Sequence, residues 1–279
     1  MAVQLKEERI KPFLRWAGGK SWFIDHLADL LDGHEFTNYY EPFLGGGSIF
    51  FSINVTGAVA TLSDANKELI DTYIAIRDDV ESVIKHFATY ENTSDFYYKL
   101  RAKDPTDPAE KAARFSYLNH TSYNGLYRVN RQGKYNVPFG NRKSDTIDVE
   151  EIRKASRALE GVNLISGDFE NRGDVIQEGT LVFLDPPYTV SHNDNGFIQY
   201  NQSIFSIEDQ ERLAQYIQFI MGQGAYFILK NAAQNAIREI FANCGRSMLV
   251  ERQSLIGGKK AKRGLTSELV FTNIENLEG

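Results

Sequence analysis

Residues 181–188 read LVFLDPPY: four apolar residues, a carboxylate, two prolines and an aromatic ring. The apolar run fits a strand buried on both faces, and the prolines fix the backbone that follows. Asp185 is thus predicted to sit at the end of a buried strand with a rigid turn behind it. A carboxylate so placed suits one kind of reaction. The nitrogen of an exocyclic aromatic amine, such as adenine N6, is a poor nucleophile because its lone pair is delocalised into the ring. If Asp185 and a neighbouring backbone carbonyl accept its two N–H hydrogens, electron density localises on nitrogen, in position to attack a sulfonium methyl. Tyr188 supplies a ring on which a flipped-out base can stack. Alone, Asp185 would be read as a turn or helix-capping aspartate. The whole tetrapeptide at a strand end favours the chemical reading.

A second constellation precedes it. Residues 39–48, YYEPFLGGGS, end a strand and open a turn where residues without side chains let a ligand approach the backbone. By itself this is equally a tight strand-to-helix turn. The next strand ends in Ser63, Asp64, Ala65 and Asn66, which puts Asp64 about 20 residues beyond the glycines, where an acidic side chain can bond ribose hydroxyls. Together the two features favour an adenosyl cofactor. Gly18, Gly19, Lys20 and Ser21 imitate a P-loop but lack the upstream glycine and the preceding buried strand, so ATP-driven phosphoryl transfer is disfavoured.

The elements that must position these residues alternate in type. A helix at about 20–31, a strand around Tyr39 and Tyr40, a helix at about 48–54 and a strand at 59–63 begin a parallel sheet. From Glu68 to about Leu118 the apolar spacing is helical, as in Leu69, Tyr73, Ile76, Val83, Ile84 and Phe87, with Pro108 suiting the first turn of a new helix. Strands return at 162–166 and 181–184, then a helix at about 207–221, a strand at 225–229, and an antiparallel pair at 248–252 and 268–272 around a loop of Gly, Lys and Arg. The expected fold class is α/β with a mixed sheet, interrupted by an inserted helical subdomain.

Composition narrows the classes. A chain of 279 residues with 42% hydrophobic content can bury a large core. No apolar run reaches the roughly 18 residues of a membrane helix, and no leader is visible, so a soluble cytoplasmic protein is expected, nucleoid-associated when bound to DNA. Cys244 is the only cysteine, so neither an internal disulfide nor a cysteine zinc site is expected, and the five histidines have no metal-ligand spacing. The formal charge of −6 argues mildly against nucleic acid, yet two segments are basic: Arg128, Arg131, Lys134, Arg142 and Lys143, and Lys259, Lys260, Lys262 and Arg263. Each is either a solvated face or a phosphate contact.

The ordered set of motifs resembles the Dam family, or D12 class, of adenine-specific DNA methyltransferases. It is carried by RWAGGK at 15–20, EPFLGGGS, SDAN, YNGLYRVN at 123–130, NVPFG at 136–140, GDF at 167–169 and DPPY. The resemblance implies a Rossmann-like catalytic domain, residues 1–66 and 149–279, with a target-recognition insertion at 67–148 that contains a β-hairpin. It implies that Trp16, Lys20, Phe43, Leu44, Gly45, Asp64, Asp168, Phe169 and Asp185 line an S-adenosylmethionine pocket, and that Asp185, Pro186 and Tyr188 hold the adenine. The segment 123–140 would be a hairpin that enters double-stranded DNA, turning at Gln132 and Gly133. Its chemistry suits that use: Arg128 can read a guanine edge, Leu126 is an apolar wedge, Asn124 and Asn130 can bond bases or backbone, and Arg131, Lys134 and Pro138 lie along the same segment. Arg15 stands where some relatives have lysine, and the two would contact a guanine with different geometry. Residues 141–145, NRKSD, differ from the Tyr-Lys pattern of GATC-methylating relatives, although the hairpin resembles theirs.

The implied activity is direct methyl transfer to adenine N6 in a short site, GATC or one related to it, by a monomer, with a restriction endonuclease as a possible functional pair. Cytosine C5 methylation is disfavoured because it needs a nucleophilic cysteine after a proline, whereas Cys244 follows Asn243. N4-cytosine, RNA or protein-glutamine methylation, and a non-catalytic DNA-binding scaffold, are the competing readings.

Overall fold

The structure, a computed structural model, describes residues 4–6, 9–16, 22–55, 57–141, 147–187, 205–253 and 265–275. The expectations placed on Lys20, Tyr188, Arg142 and Lys143, and on the basic loop at 259–263, lie outside the described residues.

Seven strands form one sheet in the order β5 (Asn163–Ser166), β4 (Val59–Asp64), β2 (Asn38–Glu41), β6 (Leu181–Leu184), β7 (Tyr226–Ala232), β9 (Leu265–Thr272), β8 (Arg246–Gln253). The first five run parallel, and β9 pairs antiparallel with both β7 and β8. All four residues of β6 are buried, as expected for a parallel strand covered on both faces. The chain adds β4 and β5 on one side of β2, then returns to add β6 on the other. That reversal opens a crevice beyond the carboxyl ends of β2 and β6, where ligands bind in sheets of this kind. The mixed sheet flanked by helices is the Rossmann-like arrangement expected.

Between β4 and β5 lie α2 (Lys67–Asp78), α3 (Val80–Phe87), α4 (Ser94–Ala102), α5 (Pro108–Thr121) and α6 (Val149–Ala158). Their starts follow from capping residues. The side chains of Asn66, Asp79, Thr93, Asp107 and Asp148 each accept a backbone N–H of the first turn, and Pro108 occupies the first turn of α5. Leu69, Ile70, Tyr73 and Ile76 of α2 and Ala109, Ala112, Ala113 and Phe115 of α5 join the sheet residues in one core. A smaller cluster of Tyr97, Leu100, Tyr117, Leu118, Tyr135 and Val137 lies between α4, the end of α5 and the segment that follows it.

One expected element is different. Instead of a helix at 48–54, a 3-10 turn (Phe50–Ser52) leads into β3 (Ile53–Asn54), which pairs antiparallel with β1 (Gln4–Leu5). Ile49, Phe50, Phe51 and Ile53 are all buried, so the segment has no polar face with which a longer amphipathic helix could meet water. The first helix, α1 (Ile24–Leu31), begins after the Trp22–Phe23 turn without a side-chain cap. The helix α7 (Ile207–Gly222) opens with a capping box of Ser206 and Asp209, and a short α8 (Asn235–Ile240) precedes β8. Among the described residues no helix is long and apolar enough to cross a membrane.

Candidate active site

The glycine turn follows β2 and Asp185 follows β6, so the crevice between the two adjacent strands receives both motifs. Asp64, at the end of β4 on the other side of β2, completes the cluster. Its carboxylate accepts the N–H of Gly45 at 3.0 Å and that of Asn66 at 2.9 Å, which ties the turn to the strand end. Burial pushes the Asp64 carboxyl above the usual carboxylate range, and these two backbone hydrogen bonds oppose the rise. Gly45 has φ +50, and a Cβ there would lie 2.8 Å from Cδ1 of Trp16. Glycine is therefore required at this position both by conformation and by space.

Trp16 closes the turn from above. Its ring stacks on Tyr127 at 5.6 Å and on Phe115 at 6.4 Å between centroids. On the opposite side Phe43 packs on Phe169 at 5.4 Å, and the Arg212 guanidinium lies 4.9 Å over Phe169 while bonding Asp168 at 2.9 Å. The structure thus brings Trp16, Phe43, Gly45, Asp64, Asp168 and Phe169 around the carboxyl ends of β2, β4 and β5. Leu44 is 3% exposed within the main core, and its backbone N–H donates to the Ser63 carbonyl. Leu44 therefore borders the turn through its backbone.

Beyond Trp16 a cavity of about 390 Å³ is lined by Pro12, Leu14, Arg15, Trp16, Asn124, Gly125 and Leu126. It joins residues expected to meet the cofactor with residues expected to meet DNA. The hairpin that borders it is held by two bridges, Ser122 with Phe139 and Val129 with Tyr135. Tyr97 donates its hydroxyl to the Val137 carbonyl and Tyr135 to that of Leu126, fixing the base of the loop from inside. Asn124, Arg128, Asn130, Arg131, Lys134 and Pro138 are exposed, and Leu126 is half-buried. Two of these have internal work. Asn130 Oδ1 accepts the N–H groups of Gln132 and Lys134 and closes the tip, and Arg128 Nε donates to Asn136 Oδ1 at 2.7 Å. The tip turns through Arg131, Gln132 and Gly133, where the spacing places it.

Three buried polar residues at the site have no role assigned to them from the sequence. Asn119 of α5 accepts the Arg15 N–H at 2.7 Å and donates to the carbonyls of Arg15 and Gly125, which locks the N-terminal segment to the hairpin. Lys230 of β7 is fully buried between Glu268 and Asp185. Glu41, the last residue of β2, accepts the Tyr39 hydroxyl at 2.8 Å. A charged residue inside an apolar strand, as in AYFILKNA at 225–232, is the signal that marks Lys230.

Burial pushes the Glu41 carboxyl up to about 8; the Tyr39 hydroxyl opposes this and the carboxylates of Asp185 and Asp64 reinforce it. An unfolded glutamate titrates near about 4.3. Folding therefore takes up a proton between the two values. The stability that protonated Glu41 confers is complete below the unfolded value and is lost as pH rises through the folded one. Glu41→Gln should remove this loss: relative to its own stability at about pH 5.5, the variant should gain on the wild type by about 1–3 kcal/mol at about pH 8.5. Urea unfolding at the two pH values measures it, and parallel pH dependences in the two proteins would contradict the assignment.

The comparisons with known proteins agree with this arrangement. The family model for D12 class N6 adenine-specific DNA methyltransferases matches residues 16–255. The chain is 32% identical to the Type II methyltransferase M1.LlaDCHI of Lactococcus lactis subsp. cremoris, across 98% of this chain and 99% of that protein. It is 29% identical to the DNA adenine methylase of Haemophilus influenzae, across 93% of this chain and 92% of that protein. To the DNA adenine methylase of Escherichia coli (strain K12) it is 28% identical, across 90% and 92% respectively. Over that span the motif order and the sheet agree with the match, and the chain belongs to the D12 class of N6 adenine-specific DNA methyltransferases.

Proposed function

We propose that this enzyme transfers a methyl group from S-adenosylmethionine to adenine N6 within a short site in double-stranded DNA, GATC being the first candidate. The observation that carries the reading is the meeting of the bare glycine turn, Asp64 and Asp185 at the reversal point of the sheet. The residues present fit the cofactor. Gly45 packs against the Trp16 ring so closely that no Cβ fits, Trp16 and Phe43 offer aromatic surfaces beside the turn, and carboxylates suit a ligand that carries a cationic sulfonium. Trp16, Lys20, Phe43, Leu44, Gly45, Asp64, Asp168, Phe169 and Asp185 would hold it. When bound, S-adenosylmethionine supplies an electrophilic methyl group.

The chain's own residues do the rest. An adenine inside a duplex cannot reach the crevice, so the base is flipped out of the stack, and Tyr188 offers the ring that receives it. Asp185 accepts one N6 hydrogen and the backbone after it, at Pro186, accepts the other, which localises the lone pair on nitrogen. No covalent enzyme intermediate is needed, and the extra proton of the product passes to solvent. The segment 67–148 serves as the recognition domain. Within it Arg128 and Asn124 face base edges, Leu126 acts as the wedge, Asn130 and Pro138 shape the tip, and Arg131 and Lys134 meet phosphates, with Arg15 reading from the adjoining segment. The protein acts as a monomer. A relative named as a Type II methyltransferase supports pairing with a restriction endonuclease.

Expression in a bacterium lacking adenine methylation, followed by sequencing that detects N6-methyladenine, tests the reading. Methylated adenine confined to GATC is the expected result. Confinement to another motif would replace GATC while keeping the reaction. No methylated adenine from protein that binds the cofactor would overturn the substrate.

A further inference from the structure

Lys230 is an unusual residue for its place. It lies in the interior of β7, next to the strand that delivers Asp185, and its side chain has no exposure to solvent. Burying an ammonium is costly unless it is paired and hydrogen-bonded. Pairing is provided by Glu268, itself 2% exposed, on the neighbouring β9. In that ladder Lys230 faces Val270 and Ala232 faces Glu268, so lysine and glutamate are diagonal neighbours on one face of the sheet. One carboxylate is enough to neutralise one ammonium. Yet Nζ of Lys230 also lies 3.8 Å from Oδ1 of Asp185, and 5.4 Å from the centre of the Trp22 ring.

We propose that Lys230 is a positioning residue for methyl transfer, a buried cation anchored by Glu268 that holds the Asp185 carboxylate in place as the acceptor of an N6 hydrogen. The proposal rests on the reading of Asp185 given above. Three strands cooperate in it: β6 presents the carboxylate, β7 the cation and β9 the anchor. A rigid cation beside Asp185 fixes the carboxylate where its two oxygens can aim as hydrogen-bond acceptors. The other acidic groups near this region among the described residues are Glu41 from β2, which feels the Asp185 carboxylate, and Asp64 from β4.

The test separates this role from a purely structural lysine–glutamate pair. In Lys230→Met with Glu268→Gln, both charges of the pair disappear together, so neither is stranded. The single-turnover methylation rate should fall about 10–100-fold, with binding of S-adenosylmethionine and of cognate DNA within about threefold of wild type, and the acid limb of the pH–rate profile should move up by about one unit. Glu268→Gln alone removes the anchor but keeps the cation on Asp185, so its rate should fall by clearly less than that of the double variant, whatever it does to the melting temperature. A double variant with the rate and acid limb of the wild type would overturn the proposal. So would a Glu268→Gln variant as slow as the double, since strand pairing would then be what matters. If the double variant does not fold, Lys230→Gln, which retains a donor without the charge, must show the same movement of the acid limb or the proposal falls. Asp185→Ala, assayed in parallel, keeps the two readings apart: activity in that variant would remove the role of Asp185 itself, while an inactive Asp185→Ala beside a normal Lys230 variant would remove only that of Lys230.

Discussion

Replacing Asp185 with alanine is expected to slow methyl transfer by about 10³-fold or more while S-adenosylmethionine still binds within about tenfold of its wild-type affinity. In the mechanism proposed above, the two effects separate because Asp185 acts on the nucleophile. Its carboxylate accepts a hydrogen from the amine, and without it the nitrogen lone pair stays delocalised in the ring. The cofactor site proposed above is built from other parts of the chain: the Gly45 turn, the Asp64 carboxylate that fastens it, and the ring of Trp16. The fold should survive the change as well. Asp185 lies beyond the end of β6 and is only partly buried, and Lys230 keeps Glu268 as a partner when Asp185 is gone. Rapid-quench measurement of labelled methyl transfer in a single turnover, with cofactor binding followed calorimetrically, distinguishes chemistry from binding. Turnover within tenfold of wild type would sink the role assigned to this carboxylate.

The second large effect is expected from Asn119→Asp, a substitution that changes almost nothing in size. Asn119 is completely buried on α5. Its oxygen accepts the Arg15 N–H, and its amide nitrogen donates to the carbonyls of Arg15, at 2.7 Å, and of Gly125, at 3.2 Å. An aspartate presents an oxygen to those two carbonyls where a donor is needed, and it places a charge where water cannot reach. The cost should be about 2–4 kcal/mol of stability. The functional loss should exceed what stability explains, because the clamp joins two segments with different partners. Arg15 and Trp16 run from the clamp toward the glycine turn, and Gly125 opens the hairpin. Cofactor affinity and discrimination between cognate and altered sites should therefore fall together, by about tenfold or more. Both should recover partly at acid pH, where the new carboxyl is protonated and can donate once more. A variant that binds both ligands normally and keeps its site preference would show that the two segments are held by something else.

Much of the scaffold is legible in the sequence because parallel strands advertise themselves. LVFL at 181–184 can be little else than a buried strand, and Asp64 and Asp185 stand where such strands end. The helices between β4 and β5 are legible from apolar residues at helical spacing, with Pro108 marking the start of one. The β1–β3 pair is not legible, since strands of two residues have no period and the surrounding IFFSIN run is apolar throughout. At the site the limit is of another kind. The bonds by which the Asn130 side chain closes the hairpin tip, and the positive φ of 56 at Asn124, depend on backbone geometry that residue types alone do not show. The carboxylate that meets Lys230 is set by β6, β7 and β9, whose positions in the chain say nothing of their order in the sheet. Glu41 was similarly hidden: its neighbours Asp185 and Asp64 come from strands on both sides of its own.

The tyrosines beneath the hairpin separate what holds this loop from what faces outward. Tyr97 and Tyr135 grip the backbone at Val137 and Leu126, so the hydrogen bonds at its base are indifferent to which side chains stand at the tip. Arg131, Gln132 and Lys134 can then be exchanged at little expense in stability, because none of them is buried. If the loop reads the target as proposed, a lineage built this way can drift from one recognition sequence to another through a few surface replacements, each intermediate remaining folded. Diversity of target among relatives would be written on the exposed rim of the loop, and the inward-facing rings would change far more slowly.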